Sequence, residues 1–448
     1  MSSRSQTVYA RGTRVTVRRR GMWIAGSLAI VVIWLGVVSW LRQPAPAVQT
    51  SLPAGLDPDL WHPAPGHAPR RVADDDQADA VAALPYLQGY QAAPDVQSVT
   101  LHDDARSQDG LNLVLSAHAP EAYLMDMSGR VLHRWRYEFQ AAWPQRKISG
   151  DDIGTRYWRR VAVRPNGELL AIFDGFGLIK VDWNSKLLWA EACDCHHDLH
   201  VGPDGTVHVL SRRIHVIPTI NPEVSTGEDL IEVRAADGRL LRSISLLRAF
   251  LVSRYAPLTD RISRGGDVFH TNSIEVLDGT LADRSAAFKK GNLLVSIFWL
   301  NAVAIVGNES EQVEWALAGL SRRQHEPSLL ATGRLLLFDN AGRLGRSQVT
   351  ELEPLTQEIV WQYRGDERRD LFSPSSGTAH RLPNGNTLIT ESTAGRALEV
   401  TSEGTLVWEF FNPHRAGGQQ ELIATLLDVE RLDDDYFGAL LDLETAHR

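Results

Sequence analysis

Three histidines each precede a turn glycine by nearly the same number of residues. This regular spacing is the first indication that they share a site. His197 and His325 lie eight residues before such a glycine, and His270 lies nine residues before one. Residues at matching positions of a repeat come together when the repeats close into a ring. We therefore predict that the three imidazoles converge at one mouth of a central channel.

Two other repeat copies differ at this position. The matching residue is Arg159 in the second copy and Gly377 in the last, where His380 follows three residues later. The predicted mouth thus combines histidines with at least one arginine. This combination favours a site for an anionic group.

A ring of histidines suits two kinds of chemistry. Neutral imidazole binds Zn, Cu, Fe and Ni, and the run CDCHHD at residues 193–198 adds thiols and carboxylates. Its spacing matches no standard zinc pattern, however, and adjacent strand residues face opposite sides. The alternative is nucleophilic catalysis, in which histidine carries a transferred group and nearby cations stabilise departing oxygens. We favour the second chemistry and predict no metal ligands.

Short β-rich segments separated by turns must position these residues. The clearest copy, residues 376–410, predicts four strands joined by Pro-Asn-Gly, Ala-Gly and Glu-Gly turns. Such turns suit tight hairpins because glycine and asparagine tolerate positive φ. Four antiparallel strands of this kind form one blade of a β-propeller.

Six copies of the pattern are present, and the other five begin near residues 112, 159, 197, 270 and 325. Five copies carry a tryptophan at the same place in the last strand, where we expect packing between blades: Trp135, Trp189, Trp315, Trp361 and Trp408. The sequence therefore predicts an all-β, six-bladed propeller over residues 108–431, followed by a tail at 432–448. Residues 421–430 supply either the closing strand or a helix.

The N-terminal region predicts export through a membrane. Six arginines and no acidic residue occur in the first 20 positions, and residues 22–41 carry no charge. Twenty apolar residues span a bilayer, and the arginine excess keeps residues 1–21 in the cytoplasm. We predict a transmembrane signal anchor at 22–41 and a Pro/Ala-rich spacer at 42–107. A cleaved signal peptide is the alternative, and it also exports the remaining chain.

The net charge of the chain argues against some classes of binding partner, and its cysteine content limits what can be predicted about disulfides. The chain has a net charge of −9, and without its six N-terminal arginines the remainder carries −15. An acidic domain of this kind is not expected to bind nucleic acid or an anionic membrane surface. The two cysteines, Cys193 and Cys195, define no disulfide framework, and the sequence does not settle whether they pair.

Several motifs resemble the bacterial arylsulfotransferases over residues 110–430. They are HTNSI at 270–274, QH at 324–325 followed by LLLFDN at 335–340, and HRLPNGNTLITES at 380–392. The resemblance implies a six-bladed propeller in the periplasm. Together with the predicted anchor at 22–41, this places the chain as a single-pass protein in the inner membrane. The resemblance also implies transfer of a sulfuryl group from a phenolic sulfate donor to a phenol acceptor. A channel histidine would be sulfated transiently, and no cofactor is expected.

The resemblance also assigns roles to individual residues. His325 matches the nucleophile, and His197 and His270 match the histidines that hold the sulfate oxygens or protonate the leaving phenolate. The expected substrate-binding residues are Asn272, Arg159, Arg323, Phe298 and Trp299.

One position departs from the family pattern. Phe298 stands where the family usually has an arginine, so Arg159, Arg322 or Arg323 would have to supply the missing charge. The missing arginine leaves three options open: an altered substrate, a weakened activity, or a retired enzyme that binds a ligand. Two hypotheses other than sulfuryl transfer stay open. One is a non-catalytic propeller that binds a small anion, a glycan or a protein partner, and the other is a metal- or quinone-dependent redox enzyme. The oligomeric state is not predicted.

Overall fold

The computed structural model describes residues 89, 91–149, 152–342, 346–366 and 369–441. The described part forms an all-β, six-bladed propeller, as predicted. The predicted anchor at 22–41 and the segment before it lie outside the described residues. Among the helices that the structure describes, none has the length and apolar character needed to cross a bilayer.

The first two blades are four-stranded antiparallel sheets in which the innermost strand lines the channel. From the channel outward, blade 1 consists of Leu426–Leu432, Leu111–Ser116, Glu121–Met125 and Val131–Arg136. Blade 2 consists of Val161–Val163, Leu169–Phe173, Gly177–Val181 and Leu187–Glu191 in the same direction.

The next two blades share this order. Blade 3 consists of Cys195–Val201, Val207–Ile217, Asn221–Arg234 and Leu240–Ser245, with Gly266–Asp267 paired to its third strand. Blade 4 consists of Thr271–Val276, Leu293–Ile297, Ala302–Val306 and Val313–Ala318.

The last two blades complete the ring. Blade 5 consists of His325–Leu329, Leu335–Asp339, Gln348–Leu352 and Ile359–Tyr363. Blade 6 consists of Thr378–Arg381, Thr387–Glu391, Arg396–Val400 and Leu406–Phe411. Ser98–His102 pairs with Leu406–Phe411 as a fifth, outermost strand, so part of the segment predicted as a spacer lies in a sheet.

Short elements connect the blades. The α-helices are Phe139–Ala142 and Leu246–Leu251, and the 3₁₀ helices are Ile153–Thr155, Ala256–Arg261, Ala286–Phe288 and Ser392–Ala394. A two-stranded sheet pairs Arg415–Ala416 with Leu422–Ile423.

Six hydrophobic clusters hold the blades together, one at each junction. The cluster between blades 1 and 2 contains Trp135 and Phe173, and the cluster between blades 6 and 1 contains Trp408 and Val114. The four remaining clusters join the intervening pairs of blades. Because each junction is apolar, burial between neighbouring sheets stabilises the whole ring.

The blade tryptophans pack between neighbouring blades, as the sequence suggested. The indole N–H of Trp135 donates to the carbonyl of Gly167 in blade 2 at 3.1 Å, and that of Trp408 donates to Met127 in blade 1 at 3.0 Å. Trp189, in blade 2, makes the same contact with a turn of blade 3. Each indole therefore buries apolar area while its one donor is satisfied.

The ring closes through a strand rather than the alternative helix. Leu426–Leu432 pairs antiparallel with Leu111–Ser116, so the C-terminal part of the chain forms the innermost strand of blade 1. Val429 is fully buried, whereas Asp428 and Glu430 line the channel. This alternation has the period of a strand, and it removes the free edge of an open ring.

Candidate active site

The three repeat-matched histidines meet at one end of the channel, where the innermost strands begin. The ring centroids of His197 and His270 are 4.7 Å apart. Phe298 lies between His270 and His325. Its ring centroid is 5.2 Å from that of His270 and 6.1 Å from that of His325. The side chains of His270 and His325 are largely buried. We call these three residues the histidine site.

Unusual backbone geometry turns these strands at the site. His197, His270 and Glu326 have φ values of 54°, 51° and 48°, in the left-handed region that non-glycine residues seldom adopt. Irregular pairing interrupts the innermost strands of all three blades at this point. Backbone strain of this kind is stored preferentially at functional sites, where the surrounding structure maintains it.

A disulfide lies directly before the first of these histidines. Cys193 and Cys195 are bonded to each other, which answers the question that their spacing left open. Both are buried between blades 2 and 3, and the Cys195 carbonyl accepts a hydrogen bond from the Gly175 N–H. The bond therefore fixes the chain just ahead of His196 and His197.

The surroundings of His325 select one tautomer. Its Nδ1 lies 2.7 Å from Oδ1 of Asn340 and 3.0 Å from the carbonyl oxygen of Arg323. The amide nitrogen of Asn340 donates to the carbonyls of Ser373 and Ser376, so its oxygen must face the histidine. Because both neighbours of Nδ1 are acceptors, Nδ1 carries the proton and Nε2 keeps its lone pair.

His325 is also held in its neutral form. Burial lowers its pKa to about 3, and repulsion from Arg159 and His270 acts in the same direction, against the hydrogen bond with Asn340. A neutral imidazole with a free Nε2 lone pair is a nucleophile at neutral pH.

His270 has a carboxylate partner instead. Its Nδ1 lies 2.5 Å from Oδ2 of Asp267, and its backbone N–H donates to Oδ1 of the same residue at 2.9 Å. Burial raises the pKa of Asp267, but Arg212 and His270 outweigh it and hold that pKa below its usual value. An ionised carboxylate on Nδ1 stabilises the imidazolium, so His270 is suited to donate a proton from Nε2.

His197 has a second histidine as its partner. Its Nδ1 lies 2.9 Å from Nδ1 of His196, whose Nε2 is 3.5 Å from Oδ1 of the fully buried Asp229. Burial, with repulsion from Arg159, lowers the pKa of His197 well below its usual value, so this ring is neutral. The three histidines are thus chemically different, although their positions in the repeat are equivalent.

Arg159 supplies a cation beside the histidines. The residue is 7% exposed, and its positive charge lowers the pKa of both His197 and His325. Within the described ranges, its guanidinium makes no ion pair with a carboxylate. A buried cation without a carboxylate partner is suited to bind an anionic ligand.

Aromatic side chains border the same space. Phe298 is 8% exposed and packs edge-on against Trp299, with ring centroids 4.7 Å apart, while Trp299 is 36% exposed. The guanidinium carbon of Arg323 lies 5.6 Å from the Phe298 ring centroid. Arg323 therefore approaches the place where the family usually has an arginine. Phe269 is fully buried against Phe250 and belongs to the core.

Asn272 contacts the protein itself. Its amide nitrogen donates to the carbonyl of Gln324 at 2.9 Å, and its Oδ1 is buried. Gln324 in turn donates to Ser296 Oγ and to the carbonyl of Ala302. These contacts fix the backbone immediately before His325, so Asn272 supports the position of that histidine.

Four polar residues of the site were not predicted from the sequence: Asn340, Asp267, Arg212 and Asp229. Asn340 lies inside the LLLFDN motif, and Asp267 precedes His270 by three residues. Arg212 joins the two aspartates, with Nε 2.9 Å from Asp229 Oδ1 and Nη2 3.1 Å from Asp267 Oδ1. The extended hairpin of blade 3 carries Arg212 and Asp229, and only its fold reveals their proximity.

A second cluster of charged side chains lies in the channel, and three of its members directly follow Arg159, His197 and His325 in sequence. Arg160 contacts Asp198 at 2.9 Å, Asp428 at 2.6 Å, and Glu326. His380 Nε2 lies 3.1 Å from Asp428 Oδ1. We call these five residues the ion cluster. They line a cavity of about 250 Å³, together with Glu275 and Glu430.

The possible metal ligands of the described residues are poorly arranged for an ion. His118, Glu121 and His414 lie together outside the channel, but the two imidazoles are stacked with centroids 3.3 Å apart, so their lone pairs do not converge. Arg134 and Arg136 already neutralise Glu121. The other group contains Cys193 and Cys195, which are disulfide-bonded and offer no thiolate.

Comparison with known proteins identifies the family. The profile of the arylsulfotransferases (ASST) matches residues 160–413, which is more than half of the 448 residues. No curated protein matches the chain in sequence.

Several solved structures are similar to this chain at low identity. A Bacteroides caccae protein of unknown function is 16% identical, with 72% of this chain and 98% of that chain covered and a TM-score of 0.46. The WD40 β-propeller domain of Doa1 is 12% identical, with 79% and 98% covered and a TM-score of 0.40. A Staphylococcus aureus virginiamycin B lyase variant is 10% identical, with 70% and 88% covered and a TM-score of 0.39.

Proposed function

Because the chain belongs to the arylsulfotransferase family, we propose that it moves a sulfuryl group from an aryl sulfate ester to a phenol, with His325 as the nucleophile. The observation that carries the proposal is the pair of acceptors on His325 Nδ1, which leaves Nε2 free to attack. Phenolic substrates and sulfuryl transfer are the chemistry that family membership suggests.

In the first half of the reaction, Nε2 of His325 attacks the sulfur of the donor and the S–O bond to the aryl group breaks. The phenolate leaves with a proton from Nε2 of His270, whose imidazolium Asp267 stabilises. This proton matters because a free phenol has a pKa near 10 and departs slowly as the anion. Arg159 and His197 hold the sulfuryl oxygens while charge develops on them.

The second half reverses these roles. An acceptor phenol enters after the first phenol leaves, and His270, now neutral, removes its proton. The phenol oxygen attacks sulfur, the S–N bond to His325 breaks, and the histidine returns to its neutral form. Phe298 and Trp299 supply the aromatic surface against which either aryl group stacks.

The proposal extends to the position of the enzyme in the cell. The arginine-rich N-terminus and the uncharged run at 22–41 support a single-pass anchor in the inner membrane, with the propeller in the periplasm. Protease protection in spheroplasts tests this topology, because the propeller should be accessible from the periplasmic side only.

One observation favours a second candidate, a non-catalytic anion-binding propeller. Phe298 replaces a cation of the family pattern and fills space between His270 and His325. In that case an aryl sulfate would bind at Arg159 without transfer.

Covalent labelling separates the two candidates. The full-length chain, purified in detergent, is mixed with a chromogenic aryl sulfate in the absence of acceptor. Transfer predicts a burst of one phenol per chain and a mass increase of one sulfuryl group on the peptide that contains His325. Binding without phenol release or a mass increase would leave only the second candidate. His208→Gln serves as the control, because His208 is a buried histidine of blade 3 outside the site.

A further inference from the structure

Exposed aromatic side chains are rare in this propeller. Of the tryptophan, tyrosine and phenylalanine side chains that the structure describes, only Trp299 and Phe372 are exposed, at 36% and 39%. Leaving a large aromatic face in water forgoes the free energy that its burial would provide. Two such faces that border one site therefore indicate a ligand that covers them.

Trp299 borders the histidine site from blade 4. It lies in the turn between Leu293–Ile297 and Ala302–Val306, and its ring centroid is 6.1 Å from that of His270. Its other ring contact is Phe298, which is buried. One face of the indole thus remains open beside the place where the aryl group reacts.

Phe372 borders the same site from the connection between blades 5 and 6. The next residue, Ser373, accepts a hydrogen bond from the amide nitrogen of Asn340 at 2.8 Å. The amide oxygen of Asn340 lies 2.7 Å from Nδ1 of His325. A single side chain therefore links the segment that carries Phe372 to the proposed nucleophile.

The connection between blades 4 and 5, at residues 319–324, links the two aromatic residues. The N–H of Gly319 donates at 2.9 Å to a carbonyl in the turn that carries Trp299. The carbonyl of Arg322 accepts at 3.2 Å from the N–H of Ala341, the residue after Asn340. The exposed side chains thus form a continuous border on the His325 side of the site.

This connection adds both apolar surface and positive charge. Leu320, Arg322 and Arg323 are all exposed. Neither arginine forms an ion pair with a carboxylate of the part of the chain that the structure describes. An apolar surface beside unpaired cations suits a ligand that combines aromatic area with an acidic group. We call the exposed set the rim strip: Trp299, Leu320, Arg322, Arg323 and Phe372.

The extent of the rim strip indicates the size of the ligand. Trp299 belongs to blade 4, whereas Phe372 follows blade 5, and the whole 319–324 connection lies between them. One phenol ring beside Trp299 would leave Leu320 and Phe372 in water. A ligand that covers the strip therefore has more than one ring.

We propose that the rim strip binds the body of an extended aryl substrate, a phenol or its sulfate ester with at least two aromatic rings and an acidic substituent. The second ring contacts Leu320 and Phe372, and the acidic substituent pairs with Arg322. The placement of the reacting oxygen at the histidine site rests on the proposed function. The binding of an extended aryl acid by the rim strip does not.

Equilibrium binding tests the contribution of the second ring without turnover. The full-length chain, purified in detergent, is titrated with 4′-hydroxybiphenyl-4-carboxylate and separately with 4-hydroxybenzoate, with no sulfate donor present. The wild type should bind the two-ring acid roughly tenfold more tightly, because the second ring buries apolar area. Phe372→Ala should remove most of this preference and leave the affinity for the one-ring acid unchanged. Leu355→Ala, an exposed leucine in a turn at the opposite end of blade 5, is the matched control and should bind as the wild type does.

A second substitution tests recognition of the acidic group. Arg322→Gln should weaken binding of the two-ring acid by about threefold, because an exposed ion pair contributes little, and should not alter binding of uncharged 4-hydroxybiphenyl. Arg239→Gln removes an exposed arginine from a turn at the opposite end of blade 3 and serves as the control.

The outcomes separate this proposal from the proposed function. Wild-type affinity of Phe372→Ala and Arg322→Gln for every ligand would refute the rim strip as a binding surface, even in a chain that transfers sulfate. The expected pattern of affinities in a chain that releases no phenol from aryl sulfates would support the rim strip and count against the proposed function alone.

A solvent-sensitive fluorophore on Phe372→Cys provides an independent readout. Labelling is specific, because the only two cysteines of the chain are bonded to each other. The emission should shift when the two-ring acid is added. A shift with nanodiscs of anionic lipid and none with the two-ring acid would assign the strip to a membrane surface and overturn the proposal.

Discussion

The histidine site and the ion cluster are built from neighbouring residues but balance their charges in opposite ways. His197 and His325 belong to the histidine site, and the charge of Arg159 acts on both of them. The residues that directly follow these three in sequence, Arg160, Asp198 and Glu326, belong to the ion cluster. Arg160 has three carboxylate partners, whereas Arg159 makes no ion pair with any described carboxylate. Arg160 is therefore neutralised by carboxylates within the protein, whereas Arg159 has no carboxylate partner among the described residues.

This difference shows how a propeller can separate stability from function. The ion cluster links the inner strands of blades 1, 2, 3, 5 and 6 across the channel, so it opposes their separation. The strained backbone at His197, His270 and Glu326 lies directly beside it. We infer that the ion cluster stabilises the unusual conformation that the histidine site requires.

The largest expected effect comes from substituting one histidine of the histidine site and, for comparison, one histidine of the ion cluster. His325→Asn should reduce sulfuryl transfer by roughly 10⁴-fold or more, because it removes the nucleophile. His380→Asn, in the ion cluster, should retain the wild-type rate of phenol release. Rates of phenol release for both variants, at matched folded fractions by circular dichroism, provide the measurement. Substantial transfer by His325→Asn would place the nucleophile elsewhere.

The next largest effect concerns stability. Arg160→Met leaves Asp198, Glu326 and Asp428 without their shared cation, and breaking a buried ion pair from one side costs roughly 3–5 kcal/mol. Urea unfolding should therefore show a much lower free energy of unfolding. If Arg160→Met unfolds at the wild-type urea concentration, the ion cluster does not stabilise the ring.

Arg159→Met should have the complementary effect. Loss of a cation that holds developing charge typically costs about 10²–10³-fold in rate, so kcat/KM for the aryl sulfate should fall by that amount. The free energy of unfolding should change little, because Arg159 pairs with no described carboxylate. Arg159→Lys should recover part of the activity. Equal loss of stability in Arg159→Met and Arg160→Met would remove the distinction between the layers.

The ring of blades could be predicted from the sequence because the residues that indicate each blade lie within that blade. Each blade carries its own turn glycine and, in most copies, its own tryptophan, so the repeat was visible without tertiary contacts. The convergence of the three histidines follows from the repeat alone. The closing strand was ambiguous, because its pairing with Leu111–Ser116 joins opposite ends of the domain.

The chemistry of the histidines could not be predicted in the same way. Asn340 reaches His325 from the next strand, and Asp229 reaches His196 through a hairpin longer than those of the other blades. Each contact depends on strand register at an irregular position, which spacing does not reveal. The resemblance to the family indicated the three histidines. The groups that contact their Nδ1 atoms, and so distinguish them chemically, became known only from the structure.

The smallest expected effect is a pH dependence of the free energy of unfolding, which should arise from the ion cluster and not from the histidine site. Burial lowers the pKa of His380, but Asp428 outweighs it and raises that pKa from 6.5 to about 9. The ion pair should therefore stabilise the fold fully below pH 6.5 and lose this contribution as pH rises through 9, a change on the order of 1–3 kcal/mol. His325, with a pKa of about 3, does not titrate in this window. Urea unfolding across the window should show a decline in wild type that His380→Asn lacks. Parallel declines in both proteins would mean that the stability change arises from a group other than His380, such as Asp198, whose pKa burial raises to about 7.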